Sequence, residues 1–313
     1  MTVEGSTPEQ RQRDAGGSIP HKILVAVADG GLSEAAVEFA SRLVEASQAE
    51  IDLLHVLPVP TLPGLRLSEQ ECSVLESERR ELLAQELTAY FTKTAMSEPA
   101  QRALIGKLRV LAGQPAKVLL EQVREKHVDL LVLGTSGKRK ELDFGGVARA
   151  VLSQANCPVL LVPQPARRVR KLLVPVDLSP ASMKALAIAR DWAQLLGARL
   201  LAIHCFSVPE LVAYGIPEAP LTPLDFGLDE LRAAAKERFE REMRNFDWRG
   251  IPWDARLFDD TPEQTILELQ DDFDLIVMST HGHSGLAAAI LGSVAYSVLR
   301  RVHTPTLACP VRT

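Results

Sequence analysis

The chain of 313 residues contains two copies of one sequence unit, and this internal repeat constrains the fold more than any single motif does. The segment Lys22-Ile-Leu-Val-Ala-Val27 resembles Lys171-Leu-Leu-Val-Pro-Val176, at an offset of 171 − 22 = 149 residues. The same offset relates Ile51-Asp-Leu-Leu-His55 to Leu200-Leu-Ala-Ile-His204. Because about 150 residues is a common size for one domain, the sequence predicts two domains built on one plan.

Each copy alternates short apolar runs with segments of helical spacing, which is typical of an α/β fold. Because the runs are apolar almost throughout, we expect in each copy a doubly wound parallel sheet of five strands, covered on both faces. The predicted strands are 23–27, 50–56, 107–111, 130–133 and 159–162 in the first copy, and 172–176, 199–206, 253–258, 275–278 and 306–309 in the second. The predicted long helices are 69–92, with an apolar stripe that includes Leu75 and Leu82, and 228–245.

Composition and charge exclude several classes of protein. The 35 basic and 40 acidic residues give a formal charge of −5, so we predict no nucleic-acid partner. No apolar run approaches the roughly 20 residues of a membrane span, so we predict no membrane association. The polar N-terminus lacks the apolar core of a secretory signal, and the four cysteines lack metal-like spacing. We therefore expect free thiols and a cytoplasmic location, with a disordered tail at 1–18, a first domain at 19–164 and a second at 165–313.

The loop after the fourth strand of the second copy is the strongest candidate for a binding site. It begins Val277-Met-Ser-Thr-His-Gly-His-Ser-Gly285 and ends at Gly292-Ser293, where we expect Ser293 to cap a helix over 294–301. A strand, a glycine loop and a helix N-terminus together bind phosphate, because free N–H groups and the helix dipole both face the anion. No Gly-Lys-Ser/Thr follows, so this is not a P-loop. Ligands of doubly wound sheets lie at the carboxyl ends of the strands, which points to the loops after strands 1 and 4.

Several motifs in order resemble one known family. They are Val174-Pro-Val-Asp-Leu-Ser179, a strand ending in His204, Met278-Ser-Thr-His-Gly282, nine residues leading to Gly292-Ser293, and a closing Thr304-Pro-Thr-Leu. This combination resembles the universal stress protein family, and the whole chain apart from its tail resembles a tandem pair of such domains. The resemblance implies a five-stranded, Rossmann-like sheet of the adenine nucleotide alpha hydrolase-like type. Some members of the family bind ATP or AMP, and others bind neither.

The resemblance implies an adenine nucleotide, ATP or AMP, in the second copy, with Mg²⁺ accompanying ATP. The end of strand 1 would line the adenosine, the backbone after His204 would meet adenine, and the helix start would hold the phosphates. The implied binding residues are Pro175, Val176, Asp177, Cys205, Met278, Ser279, His281, Gly282, Gly292, Ser293, Val294 and Ala295. Asp177 could instead serve only to cap the helix that begins near Pro180.

Both copies depart from the family pattern. Ser279 stands where the pattern has its first glycine, which would matter if that position required a positive φ. The first copy reads Gly134-Thr-Ser-Gly137, then only seven residues before Gly145-Gly146, and it has Ala28 in place of Asp177. The basic residues 138–140 in that loop could pair with phosphate, although a solvated loop is the simpler interpretation. We predict that the first copy binds nucleotide weakly or not at all.

The sequence predicts binding without catalysis. It contains no Walker lysine, no acidic Mg²⁺ pair and no base for water, so we assign no catalytic residues and expect at most a slow ATPase. His281 and His283 alone are a weak metal signal, and we assign no protein-held metal. His55 and His204 are expected to be core or strand-end histidines with satisfied hydrogen bonds.

Two classes of function remain open. The first is a stress-response protein that senses nucleotide through its second copy. The alternative is a nucleotide-free scaffold whose paired domains bind an unidentified regulatory protein, and a weaker alternative is an adenylating or electron-transfer enzyme on a related fold. Single-domain relatives pair through their last strands, so the resemblance implies a pseudo-dimer within the chain, with 159–162 and 306–309 as contacting edges. The sequence leaves open whether two chains form a homodimer.

Overall fold

The computed structural model describes residues 18–28, 33–58, 68–94, 96–135, 145–163, 167–207, 228–281 and 291–310. The chain forms two compact units, which divide between Arg167 and Arg168. Each unit is an α/β domain with a five-stranded parallel sheet, which confirms the predicted fold class. Within the described ranges, no helix is long and apolar enough to cross a membrane. The predicted pairing of the last strands of the two units stays a prediction.

The first unit has the strand order β3-β2-β1-β4-β5, and every neighbouring pair is parallel. Its elements are β1 (Lys22–Ala26), α1 (Glu34–Ser47), β2 (Glu50–Pro58), α2 (Glu69–Phe91), α3 (Glu98–Gly106), β3 (Leu108–Gly113), α4 (Pro115–Glu125), β4 (Leu130–Thr135), α5 (Gly146–Gln154) and β5 (Val159–Pro163). Helix α3 was not predicted.

The second unit repeats this plan, with the order β8-β7-β6-β9-β10 and parallel pairing throughout. Its elements are β6 (Lys171–Pro175), α6 (Pro180–Leu196), β7 (Arg199–Cys205), α7 (Leu228–Asn245), β8 (Trp253–Phe258), α8 (Pro262–Leu269), a 3₁₀ turn (Gln270–Asp272), β9 (Leu275–Ser279), α9 (Ser293–Arg301) and β10 (Thr306–Cys309). The prolines predicted to open helices, Pro115 and Pro262, stand at the first residues of α4 and α8.

A repeated carboxylate fixes the register of each central strand. Asp129 Oδ2 accepts hydrogen bonds from the backbone N–H groups of His21, at 3.1 Å, and Lys22, at 2.9 Å. In the second unit Asp274 Oδ2 accepts from Arg170, at 2.8 Å, and Lys171, at 3.0 Å. Because each aspartate immediately precedes the fourth strand of its unit, these bonds hold the start of the first strand beside the start of the fourth. The candidate site lies at the carboxyl ends of these strands and depends on that alignment.

The apolar stripe of α2 is narrower than predicted. Leu83, Leu87 and Phe91 are buried, but Leu75 and Leu82 are 39% and 49% exposed. A helix turns about 100° per residue, so Leu82 lies beside the row of residues spaced by four rather than in it. Leu75 lies in that row and is nevertheless exposed, so the prediction of one stripe from Leu75 to Phe91 is wrong: only its C-terminal part, from Leu83 onward, is buried.

Candidate functional site

The switch point of the second unit lies between β6 and β9. The chain passes from β6 to β7 and β8 on one side of the sheet, and then returns to place β9 on the other side of β6. In doubly wound sheets, the connections at such a switch point go to opposite sides of the sheet, and ligands bind in the crevice at the carboxyl ends of the strands. The loops after β6 and β9 are the two loops that the sequence analysis selected.

The loop after β6 is organised by Asp177. Its Oδ1 accepts hydrogen bonds from the backbone N–H of Ser179, at 2.9 Å, and from the Ser179 hydroxyl, at 2.5 Å. Ser179 is the N-cap of α6 and in turn accepts from the N–H of Ser182, at 3.2 Å. The N–H of Asp177 donates to Ser182 Oγ, at 3.3 Å. Asp177 thus supports the start of α6 through Ser179, so the capping role considered for it is present in this indirect form.

The turn after Asp177 places a non-glycine residue in the left-handed region. Leu178 has φ +62°, a conformation that costs a leucine about 1–3 kcal/mol. Ser279, by contrast, lies in β9 and is not among the described residues with positive φ. The exchange of glycine for serine at Ser279 therefore imposes no backbone strain, and the unusual conformation of this site belongs to the other loop.

The end of β7 lies beside the end of β6. His204 Nδ1 bonds the carbonyl of Val176, at 2.7 Å, and His55 Nδ1 bonds the carbonyl of Val27, at 2.8 Å, in the first unit. The predicted hydrogen bonds of both histidines are confirmed: His55 is a buried residue inside β2, and His204 is the second-last residue of β7. Burial raises the pKa of the Cys205 thiol. The hydrogen bond with the Thr265 hydroxyl lowers this pKa, and the nearby Asp260 carboxylate raises it further. The thiol therefore stays neutral at pH 7.

Thr280 closes the loop that follows β9. Its N–H donates to the carbonyl of Cys309, at 2.9 Å, and its own carbonyl accepts from the N–H of Gly292, at 2.8 Å. The Thr280 hydroxyl lies 2.9 Å from His281 Nδ1, and the Ser279 hydroxyl donates to the His281 carbonyl, at 2.7 Å. Because Thr280 is only 2% exposed, these bonds fix the start of α9 against the tip of β9. Sequence reasoning missed Thr280, whose position between the strand and the glycine loop was its only signal.

Helix α9 begins one residue earlier than predicted. Gly292 is the N-cap, with φ −57° and ψ 149°, and Ser293 is the first helical residue, so the prediction that Ser293 caps the helix is wrong. The N–H of Tyr296 donates to the carbonyl of Gly292, at 2.8 Å. The N–H groups of Ser293, Val294 and Ala295 belong to the first turn, where a helix offers no carbonyl to receive them. They are the donors that an anion at this position would meet.

The corresponding elements of the first unit differ at both loops. The N–H of Ala28 donates to Ser33 Oγ, at 2.5 Å, as Asp177 does to Ser182, but no carboxylate stands at Ala28. The N-cap of α5 is Gly145, with φ +67° where Gly292 has −57°. The first helical residue is Gly146 rather than a serine. The start of α5 thus has neither the backbone shape nor the hydroxyl found at α9.

Eleven of the twelve predicted binding residues are described, and they lie at one edge of the second sheet. Pro175 ends β6, Val176 and Asp177 follow it, and Cys205 ends the neighbouring strand β7. Met278 and Ser279 end β9, His281 follows that strand, and the segment 292–295 contains the N-cap and first turn of α9. Gly282, His283 and the basic cluster 138–140 fall outside the described residues. Among the described residues, no three His, Cys, Asp or Glu side chains group as metal ligands do.

Comparisons with known proteins agree with this architecture. A model of the universal stress protein family matches residues 20–163 and again residues 168–310. A universal stress protein of Mycobacterium tuberculosis is 27% identical over 299 residues, which cover 92% of this chain and 96% of the relative. A second from the same organism is 26% identical over 310 residues, covering 91% and 93%. Among solved structures, a universal stress protein from Archaeoglobus fulgidus has a TM-score of 0.64 at 20% identity, covering 93% of this chain and 98% of its own.

Proposed function

This chain belongs to the universal stress protein family, and we propose that it is a stress-response protein that binds an adenine nucleotide, ATP or AMP, in its second unit. The observation that carries the proposal is the start of α9. There the N–H groups of Ser293, Val294 and Ala295 face outward from a helix whose position is fixed by the Gly292–Thr280 hydrogen bond. A phosphate group satisfies such donors and the positive end of the helix dipole together.

The adenosine end of the ligand lies across the switch point from the phosphates in this proposal. The N–H groups of Val176 and Asp177 already donate to Ile203 and Ser182, so in this proposal the base meets the backbone of Cys205, which ends the neighbouring strand. The carboxylate of Asp177 accepts hydrogen bonds from ribose hydroxyls or an amine. Its contact with Ser179 keeps the side chain at the mouth of the crevice.

We propose that binding proceeds with little or no hydrolysis. Asp177 accepts two hydrogen bonds at the start of α6, and we assign neither a base nor a protein-held Mg²⁺ to the loops. Groups that bind the phosphates equally before and during the reaction lower the dissociation constant without raising the turnover rate. The nucleotide then acts as a signal or as a structural ligand, and ATP brings its own Mg²⁺.

The test is the nucleotide content of the intact chain. We would purify the protein, release its small molecules, identify them by mass spectrometry, and titrate the stripped protein with ATP and with AMP by calorimetry. Adenine nucleotide at about one molecule per chain is the expected result, because of the two equivalent helix starts described, those of α5 and α9, only α9 combines an N-cap of negative φ with a serine in its first turn. Two molecules per chain would show that the first unit also binds. No released nucleotide and no heat with millimolar ligand would leave the nucleotide-free scaffold as the better account.

Substitutions of Asp177 separate its two roles. An asparagine keeps an oxygen that can accept from Ser179, so Asp177→Asn is expected to preserve the melting temperature while weakening nucleotide binding about tenfold through loss of charge. Alanine removes both functions, so Asp177→Ala is expected to weaken binding and also to lower the free energy of unfolding by about 1 kcal/mol. Calorimetry and thermal unfolding measure the two effects. Unchanged affinity in both variants would show that Asp177 only supports the helix.

A further inference from the structure

The two units treat the same edge of their sheets differently. β3 and β8 are edge strands at equivalent places in the repeat, and an edge strand exposes unpaired N–H and C=O groups. In the first unit α2 covers this edge. Glu76 Oε1 accepts from the N–H of Ala112, at 2.7 Å, and Arg80 Nε donates to the carbonyl of Leu108, at 2.9 Å.

No helix covers the edge of β8 among the described residues, and its one side-chain contact of this kind is local: the N–H of Ala255 donates to the exposed Asp254 Oδ1 of the same strand, at 2.9 Å. The N–H of Leu200 donates to the carbonyl of Pro252, at 2.9 Å, and that of Phe206 to Phe258, at 2.8 Å. Because a parallel ladder alternates, the even-numbered residues of β8 face β7, and Trp253, Ala255 and Leu257 turn their backbone groups to the open edge.

The helix α7 leaves space along β8 instead of bonding to it. A groove of about 420 Å³ runs between them, lined by Arg232, Lys236, Phe239 and Glu240 of α7 and by residues 255–258 of β8. Arg232 pairs with Asp259, and Lys236 lies 3.8 Å from Glu240. These charged side chains therefore engage other side chains, and within the described chain α7 makes no hydrogen bond to the backbone of β8.

Several side chains of β8 are exposed at the free edge of the sheet. Trp253 is 40% exposed although it stacks on Trp248, with ring centroids 4.3 Å apart. Asp254 and Arg256 form an ion pair at 3.0 Å, and both side chains are more than half exposed. Alternation places Trp253, Ala255 and Leu257 on one face of the sheet, and Asp254 and Arg256 on the other.

We propose that β8 pairs antiparallel with β8 of a second copy of this chain, centred on Ala255. In this register the N–H of Ala255 exchanges its bond to Asp254 Oδ1 for the carbonyl of Ala255 of the second copy, which frees the Asp254 carboxylate, and Trp253 pairs in the same way with Leu257. Asp254 stands opposite Arg256 of the second copy, twice over because of the two-fold axis. One face of the joined strands is then apolar and the other is paired by opposite charge.

The sequence of β8 favours a second copy over an unrelated extended segment because it is complementary to itself. Reversed about Ala255, the strand sets the aromatic Trp253 against the aliphatic Leu257 and the acid Asp254 against the base Arg256, and Ala255 meets itself. The groove beside Leu257 gives room for the indole of Trp253 from the second copy. An unrelated segment would need that same alternation of apolar and charged residues.

A charge exchange tests the proposal. Asp254→Arg places two arginines opposite each other, and Arg256→Asp places two aspartates opposite each other, so each single change is expected to raise the dimer dissociation constant about tenfold or more. The double variant Asp254→Arg/Arg256→Asp has the composition and net charge of the wild type and restores opposite charges in the dimer. Sedimentation velocity over a range of concentrations is expected to show the mass of two chains for the wild type and the double variant, and of one chain for each single variant.

A backbone variant provides an independent readout. Ala255→Pro removes the outward N–H at the centre of the pairing and leaves the ladder to β7 intact, since proline is tolerated on an edge strand whose N–H faces away from the sheet. We expect this variant to fold, by circular dichroism, and to stay monomeric. A wild type that is monomeric at all concentrations would overturn the proposal. So would a dimer that tolerates the proline, or a double variant that remains monomeric, and the latter result would favour a foreign segment at this edge.

Discussion

Replacing Gly292 with tryptophan is expected to abolish nucleotide binding, with a loss of at least about 100-fold in affinity, or about 2.7 kcal/mol. Gly292 is the N-cap of α9, and the indole would lie over the N–H groups of Ser293, Val294 and Ala295. Its φ of −57° is open to any amino acid, so the change adds bulk without forcing the backbone into a strained conformation. The expected loss therefore reports on the space that the phosphates occupy. Calorimetric titration with ATP measures it directly.

The repeat supplies a matched control for this experiment. Gly146 is the first residue of α5 in the first unit, has no positive φ, and a Cβ built there meets no atom within 4 Å. Gly146→Trp is therefore expected to leave both the fold and the nucleotide stoichiometry unchanged. Gly145 is unsuitable because its φ of +67° would strain any side chain. If Gly146→Trp lost as much binding as Gly292→Trp, the assignment of the site to the second unit would be wrong.

The repeat made the sheet predictable from the sequence. Each predicted strand is found, with ends that move by one or two residues, because a central parallel strand is apolar throughout and its two copies confirm each other. Helix α3 was not predicted because the stretch Glu98–Gly106 has no counterpart in the second copy, where α7 leads to β8 without another helix. Where one copy has a segment that the other lacks, comparing the two copies gives no prediction for that segment.

The site was predictable in its place but less so in its details. Strand ends and glycines located the two loops, since parallel topology brings those ends to one edge of the sheet. The roles of Ser293, Thr280 and Leu178 depended on backbone dihedral angles and on which carbonyl each N–H reaches. A serine beside a glycine fits either the N-cap or the first turn, and only the position of Thr280 decides between them. The sequence also did not predict the open edge of β8. Whether α7 covers that edge depends on which of its side chains reach the backbone of the strand.

The second large effect is expected in the core that supports the site. Trp192 of α6 and Leu43 of α1 occupy the same position of the repeat, since 192 − 149 = 43, and each is only 1% exposed. Helix α6 packs against β6 and β9, the two strands that frame the switch point. Trp192→Ala is expected to lower the free energy of unfolding by about 3–5 kcal/mol, because the lost packing and the remaining cavity add together. Denaturant unfolding, followed by circular dichroism, measures this change.

Leu43→Ala separates the stability of the core from the function of the site. It is expected to cost about 2–5 kcal/mol, a range that overlaps that of Trp192→Ala, and yet to leave nucleotide affinity unchanged, because α1 packs against strands of the first unit. Trp192→Ala is expected to weaken binding as well, since α6 starts at the Asp177 loop and a cavity beneath it frees the start of the helix to move. Equal losses of affinity in both variants would show that the two units share one site. A loss of affinity confined to Trp192→Ala would show that the second unit supports nucleotide binding and that the first unit does not.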